Sequence, residues 1–153
     1  MAVNLVVDGY VNGKSRVYVA NMNQATPALV LQPSDSGCTV YVGQSTTAAI
    51  DNGANSILLP APISGFKCTI IFTAVGDNTA GHNIQVQSTA ANMLGNTAIA
   101  NAATNVAVAV TFITRSGTAA NALIGDYIKI WCNGTRYYFY AFSAGAATPW
   151  ATA

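Results

Sequence analysis

The sequence predicts an all-β protein, an antiparallel β-sandwich or barrel of about nine or ten short strands with little helix. Two observations support this prediction. Short runs rich in Val, Ile, Thr, Tyr and Phe alternate with turn-forming Gly, Asn, Asp, Ser and Pro. In addition, no long segment has the apolar spacing of an amphipathic helix.

Nine runs have strand composition, and their separation by turns is typical of a sandwich or barrel. The Ala-rich stretch 89–110 also allows a short helical turn, although its Asn, Thr and Gly content disfavours a long helix. In chain order, the predicted strands cover residues 16–20, 28–32, 38–42, 56–60, 67–74, 83–87, 105–113, 123–132 and 136–142.

Residues 1–33 are predicted to form an N-terminal arm or hairpin. A hairpin would turn at Asp8-Gly9 or Asn12-Gly13, because both dipeptides favour tight turns. An arm would instead pair with the sheet edge of a neighbouring subunit. A first strand of the same sandwich is an equal alternative.

Residues 34–147 are predicted to form the sandwich domain, and residues 148–153 an extended C-terminal tail. The tail is built from small residues apart from Trp150. An isolated exposed Trp is costly, so we expect Trp150 to dock on another surface. It is therefore counted among the candidate partner contacts.

The chain carries few charges. Charged residues make up 7% of its 153 residues, against roughly 25% in an average globular protein. The net charge of +1 predicts no strong attraction to nucleic acid or to anionic membranes. Because it has so few charges and 52% of its residues are apolar, a free monomer is poorly protected against self-association, and we expect neighbours to cover much of it. Neither a membrane span nor a secretory signal is predicted.

The sequence offers little for catalysis. Cys38, Cys68 and Cys132 are odd in number and widely spaced, which predicts reduced, buried thiols in a reducing cytoplasm and no zinc site. His82, the only histidine, lies near Asp77 in a turn-like segment without a nucleophile motif. We therefore predict no catalytic residues, no metal and no cofactor.

Residues 126–140, DYIKIWCNGTRYYFY, predict a β-hairpin closed by a two-residue turn at Asn133-Gly134. That turn sets Trp131 opposite Arg136. Because side chains alternate between faces, one face is predicted to be core and the other to be exposed. The core face carries Ile128, Ile130, Cys132, Thr135, Tyr137 and Phe139. The outer face carries Tyr127, Lys129, Trp131, Arg136, Tyr138 and Tyr140.

The outer face of this hairpin combines cations with aromatic rings. Trp131 with Arg136, and Lys129 with Tyr138, are predicted cation–π neighbours, each worth about 0.5–1 kcal/mol when exposed. Tyr, Trp and Arg are enriched at interface hot spots, so this face is a candidate partner or subunit interface. The alternatives are a solvent-facing sheet whose rings are covered by Lys and Arg stems, and a sugar-stacking platform.

Two segments carry a resemblance to known proteins. Residues 56–74, SILLPAPISGFKCTIIFTA, place a strand ending in Leu-Pro before a Pro/Gly turn and an alternating apolar strand. Residues 124–143, IGDYIKIWCNGTRYYFYAFS, place Gly-Asp before an alternating strand, an Asn-Gly-Thr turn and an aromatic strand. Together they resemble the β-sandwich domains of tailed-bacteriophage virion proteins, most of all capsid decoration (cement) proteins. The resemblance covers residues 38–143 and not the N-terminal segment.

The resemblance implies a non-enzymatic protein that binds and stabilises the outer surface of the phage head. Such proteins are often homotrimers, so the implied partners are the major capsid protein and copies of the chain itself, within the virion. A phage fibre, tail or minor capsid component is the first alternative, and a carbohydrate-binding module is the second. The candidate interface residues are Val3, Leu5, Val7, Tyr127, Lys129, Trp131, Arg136, Tyr138, Tyr140 and Trp150.

Overall fold

The computed structural model describes residues 17–22, 29–44, 56–73, 83–99, 102–116, 123–145 and 149–153. These residues form twelve strands and one short 3-10 turn, Pro33–Asp35. No helix in these ranges is long and apolar enough to cross a membrane. The strands are β1 (Val17–Met22), β2 (Leu29–Val30), β3 (Cys38–Gln44), β4 (Ser56–Leu58), β5 (Lys67–Phe72), β6 (Ile84–Gln87), β7 (Met93–Ile99), β8 (Ala102–Val110), β9 (Phe112–Arg115), β10 (Tyr127–Cys132), β11 (Tyr137–Ser143) and β12 (Trp150–Thr152).

The strands build two sheets that do not close into a barrel. The larger sheet has seven strands in the order β1-β3-β5-β10-β11-β7-β8, and the smaller has five in the order β12-β9-β6-β4-β2. The predicted all-β, sandwich-like fold class is confirmed.

Strand pairing within each sheet is mixed, with both parallel and antiparallel neighbours, whereas the sequence predicts antiparallel sheets. Strands β1, β3 and β5 run parallel in the larger sheet, and β2, β4 and β6 run parallel in the smaller one. The reason is that the chain alternates between the two sheets from β1 to β7, so strands next to each other in one sheet are two elements apart and point the same way. The hairpins β7–β8 and β10–β11 keep the antiparallel pairing of sequential strands.

One hydrophobic core joins the inner faces of the two sheets. Alternate residues point inward, as in β6 and β10, where buried and more exposed positions follow each other strictly. Across the core, the ring of Phe72 in the larger sheet lies 6.1 Å from the ring of Trp150 in the smaller one. Each large apolar side chain that is fully buried contributes about 1.5–3 kcal/mol, so these inner faces supply most of the driving force for folding.

Most predicted strands coincide with observed ones, and the exceptions lie in the C-terminal half. The Ala-rich stretch 89–110 forms β7 and β8 and not a helical turn, because pairing within the larger sheet outweighs the helix preference of Ala. The run predicted at 105–113 breaks at Thr111, where the chain passes from one sheet to the other. The predicted tail contains β12, which pairs antiparallel with β9.

Part of the predicted N-terminal segment belongs to the sandwich. Residues 17–22 pair with β3 and residues 29–30 pair with β4, so both form strands at sheet edges. The boundary predicted at residue 33 therefore does not separate this part of the chain from the domain. The turns predicted at Asp8-Gly9 and Asn12-Gly13 lie outside the described residues.

The turn between β10 and β11 is longer than predicted. Trp131 lies opposite Tyr138 and not opposite Arg136. The Asn133 side-chain oxygen accepts hydrogen bonds from the N–H groups of Thr135 at 3.0 Å and Arg136 at 2.8 Å. Asn133 also donates its own N–H to the Arg136 carbonyl. Residues 133–136 thus connect the two strands, where two residues were predicted.

The register shift of two residues leaves each strand side chain on its predicted face, because the side-chain period of a strand is two. Thr135 is the exception, since it was predicted in the core and lies exposed in the turn. The predicted cation–π pairs are wrong for the same reason. Lys129 lies opposite Tyr140 and not opposite Tyr138.

Candidate functional site

The outer face of the larger sheet carries three rows of side chains that run across its strands. The rows are Tyr41, Ile71, Tyr127 and Phe142; then Thr39, Thr69, Lys129, Tyr140 and Asn96; then Lys67, Trp131, Tyr138 and Leu94. We call this surface the outer aromatic face. Tyr and Trp suit such a position because each combines a large apolar ring with a polar group.

The rings on the outer aromatic face pack against one another. Trp131 and Tyr138 lie nearly parallel, with 6.0 Å between ring centroids and 19° between planes. The Tyr127 ring stacks on Phe142 at 5.5 Å, and the Lys129 ammonium lies 5.5 Å from the Tyr127 ring centroid. Although it packs on Tyr138, Trp131 remains 48% exposed. The face therefore presents an ordered aromatic surface to solvent.

Half of the predicted interface residues lie together on this face. They are Tyr127, Lys129, Trp131, Tyr138 and Tyr140. Arg136 is exposed in the turn at the end of the hairpin. Val3, Leu5 and Val7 lie outside the described residues, so their assignment to an interface stays a prediction.

The prediction that Trp150 contacts a partner is wrong. The sequence placed it against a partner, but it docks in the core of its own chain and is 7% exposed. The pairing of β12 with β9 sets Trp150 opposite Arg115 and beside the Phe72 ring. Trp150 therefore contributes to stability and is not accessible to a partner.

A groove of about 330 Å³ opens on the outer aromatic face between β3, β5 and β10. Among the residues that line it, Lys67 lies directly opposite Trp131, and Thr69 lies directly opposite Lys129. Two ammonium groups, one hydroxyl and one indole ring thus surround a single concavity. Sequence reasoning did not single out Lys67 or Thr69, because their nearness to the hairpin follows from the pairing of β5 with β10.

Exposed charge in the described part of the chain has one sign. Lys67, Lys129 and Arg136 are exposed. The two described acids, Asp35 and Asp126, are 4% and 1% exposed. The groove and the hairpin beside it therefore form a cationic region, although the net charge of the whole chain is only +1.

A buried ion pair links β9 of the smaller sheet to the turn that precedes β10 of the larger sheet. Arg115 Nε, on β9, donates to Asp126 Oδ2 at 3.1 Å, and both side chains are fully buried. Arg115 also donates from Nη2 to the Leu123 carbonyl at 2.9 Å and lies 4.4 Å from the centroid of the Phe72 ring. Burial lowers the pKa of Arg115, and the hydrogen bond that Arg115 donates to Asp126 opposes that change. The pair sits inside the core, so its contribution is structural.

The three thiols are buried. Cys38 and Cys68 are direct partners across β3 and β5, and their hydrogen bond, together with burial, raises the pKa of Cys68. Burial likewise raises the pKa of Tyr137, whose hydroxyl donates to the Pro60 carbonyl at 2.8 Å. The raised pKa values keep the Cys68 thiol and the Tyr137 hydroxyl neutral, as expected for side chains packed in a core and not for nucleophiles.

Strand β8 forms one edge of the larger sheet. It pairs with β7 on one side, and no described strand pairs with its other side, which we call the β8 edge. Its sequence, AATNVAVAV, holds neither charge nor Pro, and most of its residues are exposed. Val108 is 77% exposed. It lies where the pairing of β8 with β7 is irregular, opposite the segment of β7 between Met93 and Gly95.

Nothing described resembles a catalytic or metal centre. No three His, Cys, Asp or Glu side chains gather as metal ligands within the ranges that the structure describes. His82 and Asp77, the pair considered for catalysis, lie outside those ranges. No protein-family model, no curated protein and no solved structure matches the chain.

Proposed function

We propose that the chain is a non-enzymatic structural protein of a tailed-phage head, a decoration protein that binds the outer surface of the shell and stabilises it. The observation that carries the proposal is the β8 edge. A long edge strand presents a row of unpaired N–H and C=O groups, which template pairing with another chain. Proteins that remain monomeric usually guard such an edge with Lys, Pro or a covering loop.

The β8 edge has neither Lys nor Pro along its nine residues, although a register irregularity near Val108, itself a feature that can blunt an edge, interrupts its pairing with β7. Its most exposed apolar side chain, Val108, stands among Ala, Thr and Asn residues that offer no charge repulsion to a neighbour. Such an edge suits a protein whose surface is covered by protein neighbours. The few charges of the whole chain agree with that expectation.

The resemblance of residues 56–74 and 124–143 to phage virion domains supports the choice of the shell as partner. A contact of standard size buries about 1,600 Å² in total. Many copies on an icosahedral shell would then multiply a modest contact through avidity, so stabilisation needs no chemical reaction.

Adding the purified chain to head shells that lack it tests the proposal. We expect a defined oligomer in solution, saturable co-sedimentation with shells, and a higher temperature of shell disruption. Val108→Lys should reduce both assembly and shell binding, because it places a charge on the β8 edge. Ile124→Lys is the matched control, since Ile124 is also an exposed apolar residue, at 66%, but precedes β10.

A monomeric chain that leaves shells unbound and unstabilised would refute the proposal. Equal binding by both Lys variants would refute the assignment of the β8 edge. Copy number separates the runner-up function, because a fibre, tail or minor capsid component would occur at few copies per particle and a decoration protein at many.

A further inference from the structure

We propose that the groove on the outer aromatic face is a binding site for an acidic saccharide, with the sugar ring on Trp131 and its anionic group between Lys67 and Lys129. The inference does not depend on the proposed shell function, because the groove lies between β3, β5 and β10 and the β8 edge lies at the far side of the sheet.

The first argument is the aromatic platform. Trp131 is held nearly parallel to Tyr138, whose hydroxyl accepts a hydrogen bond from the Asn133 side-chain nitrogen at 3.2 Å. Both contacts restrict the rings before any ligand arrives, which lowers the entropic cost of binding. The face of an aromatic ring is electron-rich, so it attracts the weakly positive C–H groups on one side of a sugar ring.

The second argument is charge. Lys67 and Lys129 line the groove with Trp131, and both acids in the described residues are buried elsewhere. The Lys129 ammonium lies over the Tyr127 ring. An exposed cation–π contact is worth only about 0.5–1 kcal/mol, so a carboxylate or sulfate in the groove can draw that ammonium away. A neutral sugar would gain no electrostatic attraction from the two ammonium groups.

The third argument is size and hydrogen bonding. A volume of about 330 Å³ lies at the small end of ligand pockets, which span roughly 300–1,000 Å³. Single-stranded nucleic acid needs a longer cationic track, on the order of 4–16 nucleotides. Among the residues that line the groove, Thr69 adds a neutral hydroxyl to the two ammonium groups. A hydroxyl that both donates and accepts hydrogen bonds matches a ligand rich in hydroxyls.

Tryptophan fluorescence provides the assay. The chain has two Trp residues, and Trp150 is buried, so a ligand-induced change reports on Trp131. The probes are tetragalacturonate as the acidic oligosaccharide, maltotetraose as the neutral one, and a short oligothymidylate. We expect saturable binding of tetragalacturonate that weakens with added salt, and at least about tenfold weaker binding of the other two probes.

Variants locate the site. Lys67→Gln combined with Lys129→Gln should weaken tetragalacturonate binding at least about tenfold, which corresponds to about 1.4 kcal/mol. Trp131→Ala should abolish binding when measured by calorimetry, while Tyr41→Ala, an exposed aromatic at another row of the face, should leave it unchanged. All four substituted side chains are exposed, so the variants are expected to fold.

The proposal is overturned if tetragalacturonate does not bind, if maltotetraose binds equally well, or if oligothymidylate binds more tightly. Binding that survives both the double Lys variant and Trp131→Ala would place the ligand elsewhere. None of these results bears on shell binding, which the Val108→Lys comparison decides separately.

Discussion

Replacing Asp126 by Asn should destabilise the sandwich strongly, because it removes the counter-charge of Arg115. Both side chains are fully buried, and a guanidinium does not deprotonate in a protein. Breaking a buried pair in this way costs about 3–5 kcal/mol, since the remaining charge is desolvated and uncompensated. Asn has nearly the size of Asp, so the loss does not come from a cavity. For a chain of this length, the Tm should fall by about 6–20 °C.

Urea unfolding followed by tryptophan fluorescence measures this change, because the buried Trp150 lies beside the pair and becomes exposed on unfolding. Arg136→Met is the control for removing an exposed cation and should stay within about 0.5 kcal/mol of the parent chain. The double variant Arg115→Met with Asp126→Asn should be more stable than the sum of its single variants by about 0.5–3 kcal/mol. An Asp126→Asn protein that unfolds at the parental urea concentration, or strictly additive losses, would refute the reasoning.

Three further predictions concern the core. Gly95→Ala should lower the free energy of unfolding in urea by about 1–3 kcal/mol, because its new Cβ would collide with the Phe139 carbonyl of the adjacent strand. An unchanged urea midpoint would mean that β7 and β11 approach less closely. Trp150→Ala should cost about 3–5 kcal/mol by loss of buried ring packing, with Trp150→Phe retaining part of it, and a small loss would show that β12 frays from β9. The raised pKa of Cys68 contributes stability that is complete below the ordinary thiol pKa of about 8.5 and is lost as the pH rises above it. The urea concentration at the unfolding midpoint should therefore decrease when the pH is raised from about 7 to about 9.5, and should decrease less in Cys68→Ala. An equal decrease in both proteins would contradict this prediction.

Local pattern predicted the outer aromatic face well, and the reason is geometric. Alternation places Tyr127, Lys129 and Trp131 on one side of β10 whatever the pairing. The turn at Asn133 was misjudged, since its side chain holds a longer turn than Asn-Gly alone indicates. A two-residue error in register changed the cross-strand partners and kept the strand residues on their predicted face, whereas Arg136 lies in the turn.

The local sequence pattern could not predict which strands pair when they are far apart in the chain. Parallel neighbours such as β3 and β5 are joined through a strand of the other sheet, and no local signal records such a crossing. Lys67 reaches the groove only through that pairing. The same holds for Arg115 on β9 and Asp126 in the turn before β10, which lie 11 residues apart and meet only when the sandwich closes. Trp150 was misassigned because the sequence could not show that β12 has a partner in β9.

Charge placement explains how one sheet can offer two different surfaces. In the described residues, both acids are buried while Lys67, Lys129 and Arg136 are exposed, so a nearly neutral chain has a cationic face. The β8 edge of the same sheet carries no charge at all. Backbone pairing at an edge and ligand binding on a face use different atoms, so the first need not block the second. Val108→Lys and the double Lys variant therefore perturb separate surfaces. If the two activities were lost together in either variant, both would have to share one interface.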